Sequence, residues 1–195
     1  CNEKGVTCLH GGGEYSSAHW CGKGLNDNSV EFTYTSPDGK EGFPGNVDIC
    51  VIYTLDDEDN LSIEYTAVSD KKTVINLTNH AYFNLNGYKN GDILKHTLQI
   101  NADRFTAIDE MSIPTGELPS VEGTPFDFRT AKEIGKDIDE NFPQLINGMG
   151  YDHNFCIADY DGTLREIAVA KGDKSGITMV VKTTEPGVQL YTGNF

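Results

Sequence analysis

Polar and apolar residues alternate along this chain in short runs, and a period of two predicts β-strands. VEFTYTS at 30–36, DICVIYTL at 48–55 and LSIEYTAV at 61–68 carry the pattern most clearly, rich in β-branched and aromatic residues. KTVINLTNHAYFNL at 72–85, HTLQI at 96–100, REIAVA at 165–170 and GITMVVKTT at 176–184 continue it. Turn chemistry separates the runs at Pro37-Asp38-Gly39, residues 56–60, Asn86-Gly87, Asn90-Gly91 and Gly172-Asp173. Only AKEIGKDI at 131–138 reads as a helix, a short one. Residues 106–128, with Pro114, Pro119 and Pro125, are expected to wrap the sheet as an ordered loop. Many strands punctuated by turns predict an all-β antiparallel sandwich or barrel, and 195 residues suit one domain spanning 1–195.

Composition narrows the function classes. A hydrophobic share of 37% and an aromatic share of 10% support a packed core. The formal net charge of -15 repels phosphate backbones and anionic lipid, so neither nucleic acid nor a membrane surface is expected as a partner. A neutral ligand such as a sugar is compatible with this charge. No apolar run approaches about 20 residues, the length of a membrane-spanning helix. The five cysteines, Cys1, Cys8, Cys21, Cys50 and Cys156, include no C-x-x-C pair and read as reduced thiols in a cytoplasmic protein. No metal site is expected: His and Cys are scattered, and nothing in the spacing of His10, His80 and Asp152 supports a metal triad. The chain starts at Cys1 and stops at Phe195 directly after a strand-like run, so it reads as a piece of something longer.

Several constellations can carry chemistry. Read as a strand, NLTNHAYFNL puts Asn76, Thr78, His80, Tyr82 and Asn84 on one face, and Leu77, Asn79, Ala81, Phe83 and Leu85 on the other. The first face suits a sugar cleft, with polar groups for hydroxyls, a ring for the C–H face, and a histidine for proton transfer. On periodicity alone the plainer reading, a polar ladder joining two strands, is favoured. YDHNFCI splits Tyr151, His153, Phe155 and Ile157 from Asp152, Asn154 and Cys156. His153 is thus expected among aromatics, and Asp152 is the better hydroxyl ligand, with a strand-start aspartate as the plainer role. In LHGGGEY, His10 precedes glycines that let backbone approach a ligand or simply form a loop; no Gly-Lys-Ser/Thr follows, so this is not a phosphate loop. In EPGVQLYTGNF, Gln189 and Tyr191 share a face, and Gln189 can donate to and accept from a hydroxyl, or simply face solvent. No Ser-His-Asp arrangement or glycosidase carboxylate pair stands out.

Together NLTNHAYFNLNG, LHGG, SPDGKEGFPGNVD with its following YTL, IPTGE, GTPFDFR, YDHNF and TTEPGVQLYTGNF resemble the aldose 1-epimerase (galactose mutarotase) family. They come in that family's order and span almost the whole chain. The resemblance implies a galactose-mutarotase-type antiparallel β-sandwich, incomplete here at both termini, and cofactor-free interconversion of the α and β anomers of aldoses such as galactose and glucose. It implies His80 as the general acid on the ring oxygen. It places Tyr82 against the sugar, makes His10 a second active-site histidine, and makes Asp152 and Gln189 hydroxyl ligands. The family's general base, a glutamate, is expected beyond Phe195, and a sugar-binding Asn-Arg pair before Cys1, so this chain alone is expected to be inactive. GEYSSAHW departs from the family's usual Gly-Phe-Asp-x-x-x-Trp, although Trp20 falls near the expected place. A non-catalytic carbohydrate-binding module would use the same residues. A hexose-6-phosphate epimerase of the same fold would need a basic cluster for the phosphate, and the sequence does not place Arg104 or Arg129.

Overall fold

The computed structural model describes residue 5 and residues 7–194. The expectations that touch Cys1 and Phe195 lie outside the described residues. By its internal packing the chain divides into two compact units, Cys1–Ala81 and Tyr82–Phe195, and the division falls inside NLTNHAYFNLNG.

The first unit is built on one antiparallel sheet. It runs β1 (Cys21–Asn26), β2 (Ser29–Ser36), β3 (Val47–Leu55), β4 (Leu61–Ser69), each strand pairing with the next. The core follows from the period of two: Val47, Ile49 and Val51 alternate inward on β3, and Tyr15, Trp20, Tyr53, Ile63 and Leu77 pack on them. Each such aliphatic side chain contributes about 1.5–3 kcal/mol when fully buried. The β3–β4 turn forms where the acidic run predicts it. Asp56 Oδ1 accepts the N–H groups of Glu58 and Asn60, and Asp59 takes a left-handed φ of 62°. The amide of Asn60 and these N–H groups hold the Asp56 carboxyl below its ordinary range.

The second unit carries two antiparallel sheets. One orders β10 (Thr178–Thr183), β9 (Arg165–Lys171), β5 (Thr97–Ile100) and β7 (Lys132–Glu133). The other orders β11 (Gly187–Tyr191), β8 (Asp152–Ile157) and β6 (Ala102–Phe105). Its core combines aliphatic residues such as Leu98, Ile100 and Ile167 with an aromatic cluster. Phe126 stacks on Phe105 at 4.3 Å and meets Tyr151 and His153 edge-on, with Phe128 and Phe155 completing the cluster. Residues 106–128 contain no named strand, yet they bury Ala107, Ile108, Val121, Phe126 and Phe128, as an ordered loop should.

Two expected elements differ. Residues 73–84 form no ladder. Asparagine side chains bond the nearby backbone instead: Asn79 Oδ1 accepts the Ala81 N–H at 3.0 Å, Asn84 Oδ1 accepts the Asn86 N–H at 3.0 Å, and Asn84 Nδ2 donates to the Gly91 carbonyl at 2.8 Å. Leu77 and Leu85 do reach cores, but Phe83, assigned to the same inward face, is 56% exposed. The helix expected over 131–138 is instead strand β7 followed by turns. The Ile134 and Gly135 N–H groups donate to the His96 and Leu94 carbonyls, and a Cβ at Gly135 would sit 2.8 Å from Leu94 Cβ. The α-helices that form lie elsewhere: α1 (Glu14–Ser17) in the first unit, and α2 (Pro143–Gly148), which opens on a proline at its first turn and ends at Met149 with a φ of 52°. Among the described residues, no helix is long and apolar enough to cross a membrane.

Candidate active site

In the first unit a tight turn presents His10. Residues 10–13 all have left-handed backbone, with φ of 50°, 67°, 82° and 90°. The glycines adopt this freely, whereas a non-glycine residue held there costs about 1–3 kcal/mol. Gly12 is required twice over, because a Cβ there would lie 2.5 Å from Glu41 Oε2. The turn brings His10 Nε2 to 3.3 Å from His80 Nε2, with the rings 4.8 Å apart and nearly perpendicular at 84°. A nitrogen–nitrogen hydrogen bond needs one N–H and one lone pair, so one Nε2 carries the proton and the other receives it. Both imidazoles are exposed and can meet a solute.

Asn79 fixes the backbone around His80. Its Nδ2 donates to the Tyr53 hydroxyl on β3 at 2.9 Å, while its Oδ1 reaches over His80 to the Ala81 N–H. The bonds that abolish the expected strand thus position the histidine.

The second unit gathers Asp152, Gln189 and Tyr82. Asp152 opens β8, and Gln189 lies on the neighbouring β11, where Gln189 pairs with Asn154 and Tyr191 with Asp152. On the diagonal, Gln189 Nε2 donates to Asp152 Oδ1 at 2.8 Å. That bond occupies one lone pair of the carboxylate and turns a donor–acceptor couple toward hydroxyl groups. Tyr191, on the Gln189 face, stands 5.5 Å from the Tyr82 ring, and Tyr82 is 68% exposed. The sequence put Tyr191 on this face but gave it no role; its spacing of two from Gln189 was the available signal.

His153 takes the place its alternation predicts. It is fully buried at the edges of Phe105 and Phe126, and burial pushes its pKa down to about 4. Its Nδ1 accepts the Asp152 N–H at 3.2 Å, which leaves Nε2–H for Gln144 Oε1 at 3.3 Å. It is a neutral core histidine. Arg129 is committed to Asp127 through two bonds of 2.9 and 2.8 Å, and Arg104 donates to the Leu118 carbonyl. These bonds leave both arginines in structural roles. Among the described residues, Cys8, Cys21, Cys50 and Cys156 are free thiols, and no group of three or more His, Cys, Asp or Glu is placed to hold a metal.

A family model described as aldose 1-epimerase matches residues 1–195. Galactose mutarotase from Bos taurus is 44% identical over 192 residues, covering 98% of this chain and 54% of that protein. Aldose 1-epimerase from Haemophilus influenzae is 37% identical over 195 residues, covering 100% of this chain and 56% of that protein. The crystal structure of a galactose 1-epimerase from Lactobacillus acidophilus superposes with a TM-score of 0.79 at 34% identity, covering 90% of this chain and 51% of that one. The all-β fold of galactose-mutarotase type expected from the sequence is therefore borne out. The chain spans about half the length of the curated relatives it matches.

Proposed function

The chain belongs to the aldose 1-epimerase family, and on that premise we propose that the protein interconverts the α and β anomers of hexoses such as galactose and glucose without a cofactor. His80 is the general acid. Its Nε2–H passes a proton to the ring oxygen while a carboxylate takes the proton of the anomeric hydroxyl. The bond between C1 and the ring oxygen breaks, and the former hydroxyl oxygen becomes the aldehyde carbonyl. Rotation about C1–C2 presents the other carbonyl face, and reversed proton transfers close the ring as the opposite anomer. By the family resemblance the carboxylate is a glutamate that follows position 195. Asp152 and Gln189 hold sugar hydroxyls, Tyr82 covers a C–H face, and His10 is the partner that orients His80 and shares its proton.

The observation that carries this reading is the 3.3 Å contact between the His10 and His80 imidazoles on a solute-accessible surface. Two exposed imidazoles, His10 held by left-handed backbone and His80 beside the hydrogen-bonded Asn79, serve proton transfer better than packing. The four described free thiols support a reducing, cytoplasmic setting. Polarimetry of freshly dissolved α-D-galactose with the full-length protein tests the function. Acceleration beyond the buffer rate is expected. Sugar binding without acceleration would replace the reading by a carbohydrate-binding module.

A further inference from the structure

We infer that Glu14 is a positioning residue for His10 and, through it, for His80; this rests on the function proposed above. Glu14 follows the left-handed turn directly and is only 6% exposed, although it is a carboxylic acid. Burying a carboxylate is unfavourable unless hydrogen bonds replace its water, and an apolar side chain would fill the same space without that demand. Here the replacement is specific. Tyr34 Oη–H donates to Glu14 Oε1 at 2.9 Å, and Ser36 Oγ–H donates to Glu14 Oε2 at 3.1 Å. Tyr34 and Ser36 are two apart on β2, so one sheet face offers two hydroxyls in line and the carboxylate takes both. The bond to Glu14 also raises the Tyr34 phenol above its ordinary pKa.

The rest of the turn is tied to the same anchor. Ser17 Oγ donates to the Gly13 carbonyl at 2.8 Å, the Tyr15 ring leaves a Cβ at Gly11 only 3.3 Å of clearance, and Trp20 Nε1 donates to the Tyr15 carbonyl at 3.0 Å. Four consecutive left-handed residues have many competing conformations. The Glu14 clamp selects the one in which His10 Nε2 meets His80 Nε2. This is also where GEYSSAHW departs from the family's Gly-Phe-Asp-x-x-x-Trp pattern.

A double-mutant cycle in the full-length protein tests the assignment, with imidazole NMR as a readout independent of activity. Glu14→Ala is expected to lower kcat about 10- to 100-fold with a smaller change in KM, the range open to a mispositioned proton-transfer group. In a His10→Ala background the same change should alter kcat less than about twofold, because the residue it acts through is gone. Glu14→Gln, which keeps an acceptor, should recover part of the loss. In ¹⁵N-resolved histidine spectra, Glu14→Ala should abolish the nitrogen–nitrogen coupling across the His10–His80 Nε2 contact. Equal losses of kcat in the wild-type and His10→Ala backgrounds would overturn the inference, as would an Nε2–Nε2 coupling that survives Glu14→Ala. If the wild-type protein fails to mutarotate sugars, the functional reading falls while the NMR arm still decides the role of Glu14. Should Glu14→Ala not fold, the paired change Tyr34→Phe with Ser36→Ala removes both donors and answers to the same spectra.

Discussion

Replacing His153 with phenylalanine should change how stability depends on pH. Folded His153 stays neutral down to about pH 4, whereas the same side chain in the unfolded protein takes a proton near pH 6.5. Above pH 6.5 neither state is charged and the residue has no proton-linked effect. As pH falls through 6.5, the unfolded state gains a proton that the folded state refuses, so folding loses about 1.4 kcal/mol per pH unit. The loss continues until the folded imidazole titrates near pH 4, by which point it amounts to about 3 kcal/mol. Phenylalanine fits a site already lined by Phe105 and Phe126, and Gln144 Oε1 keeps the Ile108 N–H. The Asp152 N–H loses its acceptor, however, at a cost of about 1–3 kcal/mol. Wild type should therefore be the more stable protein at pH 7, and its advantage should vanish or reverse by pH 4. Urea denaturation followed by circular dichroism at pH 7, 6, 5 and 4 measures this, and other acid-sensitive groups cancel in the difference. A wild-type-minus-variant difference that stays constant across the range would refute the buried-neutral assignment.

Two other substitutions separate binding from stability. Asp152→Ala should raise KM for galactose about 10- to 100-fold while kcat stays near wild type, since bonds to a charged acceptor contribute about 1.5–3 kcal/mol; a collapsed kcat with unchanged KM in steady-state polarimetry would contradict its binding role. Asn86→Ala should cost about 2–4 kcal/mol of stability by denaturant titration. The buried amide accepts from the Lys174 and Ser175 N–H groups and donates to Asp173, so the change orphans several groups at once, and a loss below about 0.5 kcal/mol would show the network to be dispensable.

Strand β8 was legible residue by residue because one of its faces is completely buried, and only a strict period of two puts Tyr151, His153, Phe155 and Ile157 there together. The same rule misread 73–84, where alternation is present but asparagine side chains offer the backbone local partners in place of a neighbouring strand. It also missed α2, although Pro143 marked its first turn, and preferred a helix at 131–138 where the Gly135 backbone packs against Leu94. At the site, the shared face of Gln189 and Tyr191 could be read from spacing. The diagonal from Gln189 to Asp152 depends on the register of β11 against β8, which no local pattern encodes. His10 and His80 stand 70 residues apart, so their contact required either the folded chain or the family resemblance.

The most direct test compares His80→Asn with wild type in the full-length protein, measuring kcat for mutarotation by polarimetry and Kd for galactose by calorimetry. A positioned proton donor contributes about 10²- to 10⁴-fold, so kcat should fall by at least about two orders of magnitude while Kd changes only a few-fold. Turnover within a few-fold of wild type would contradict the role of His80 as the acid.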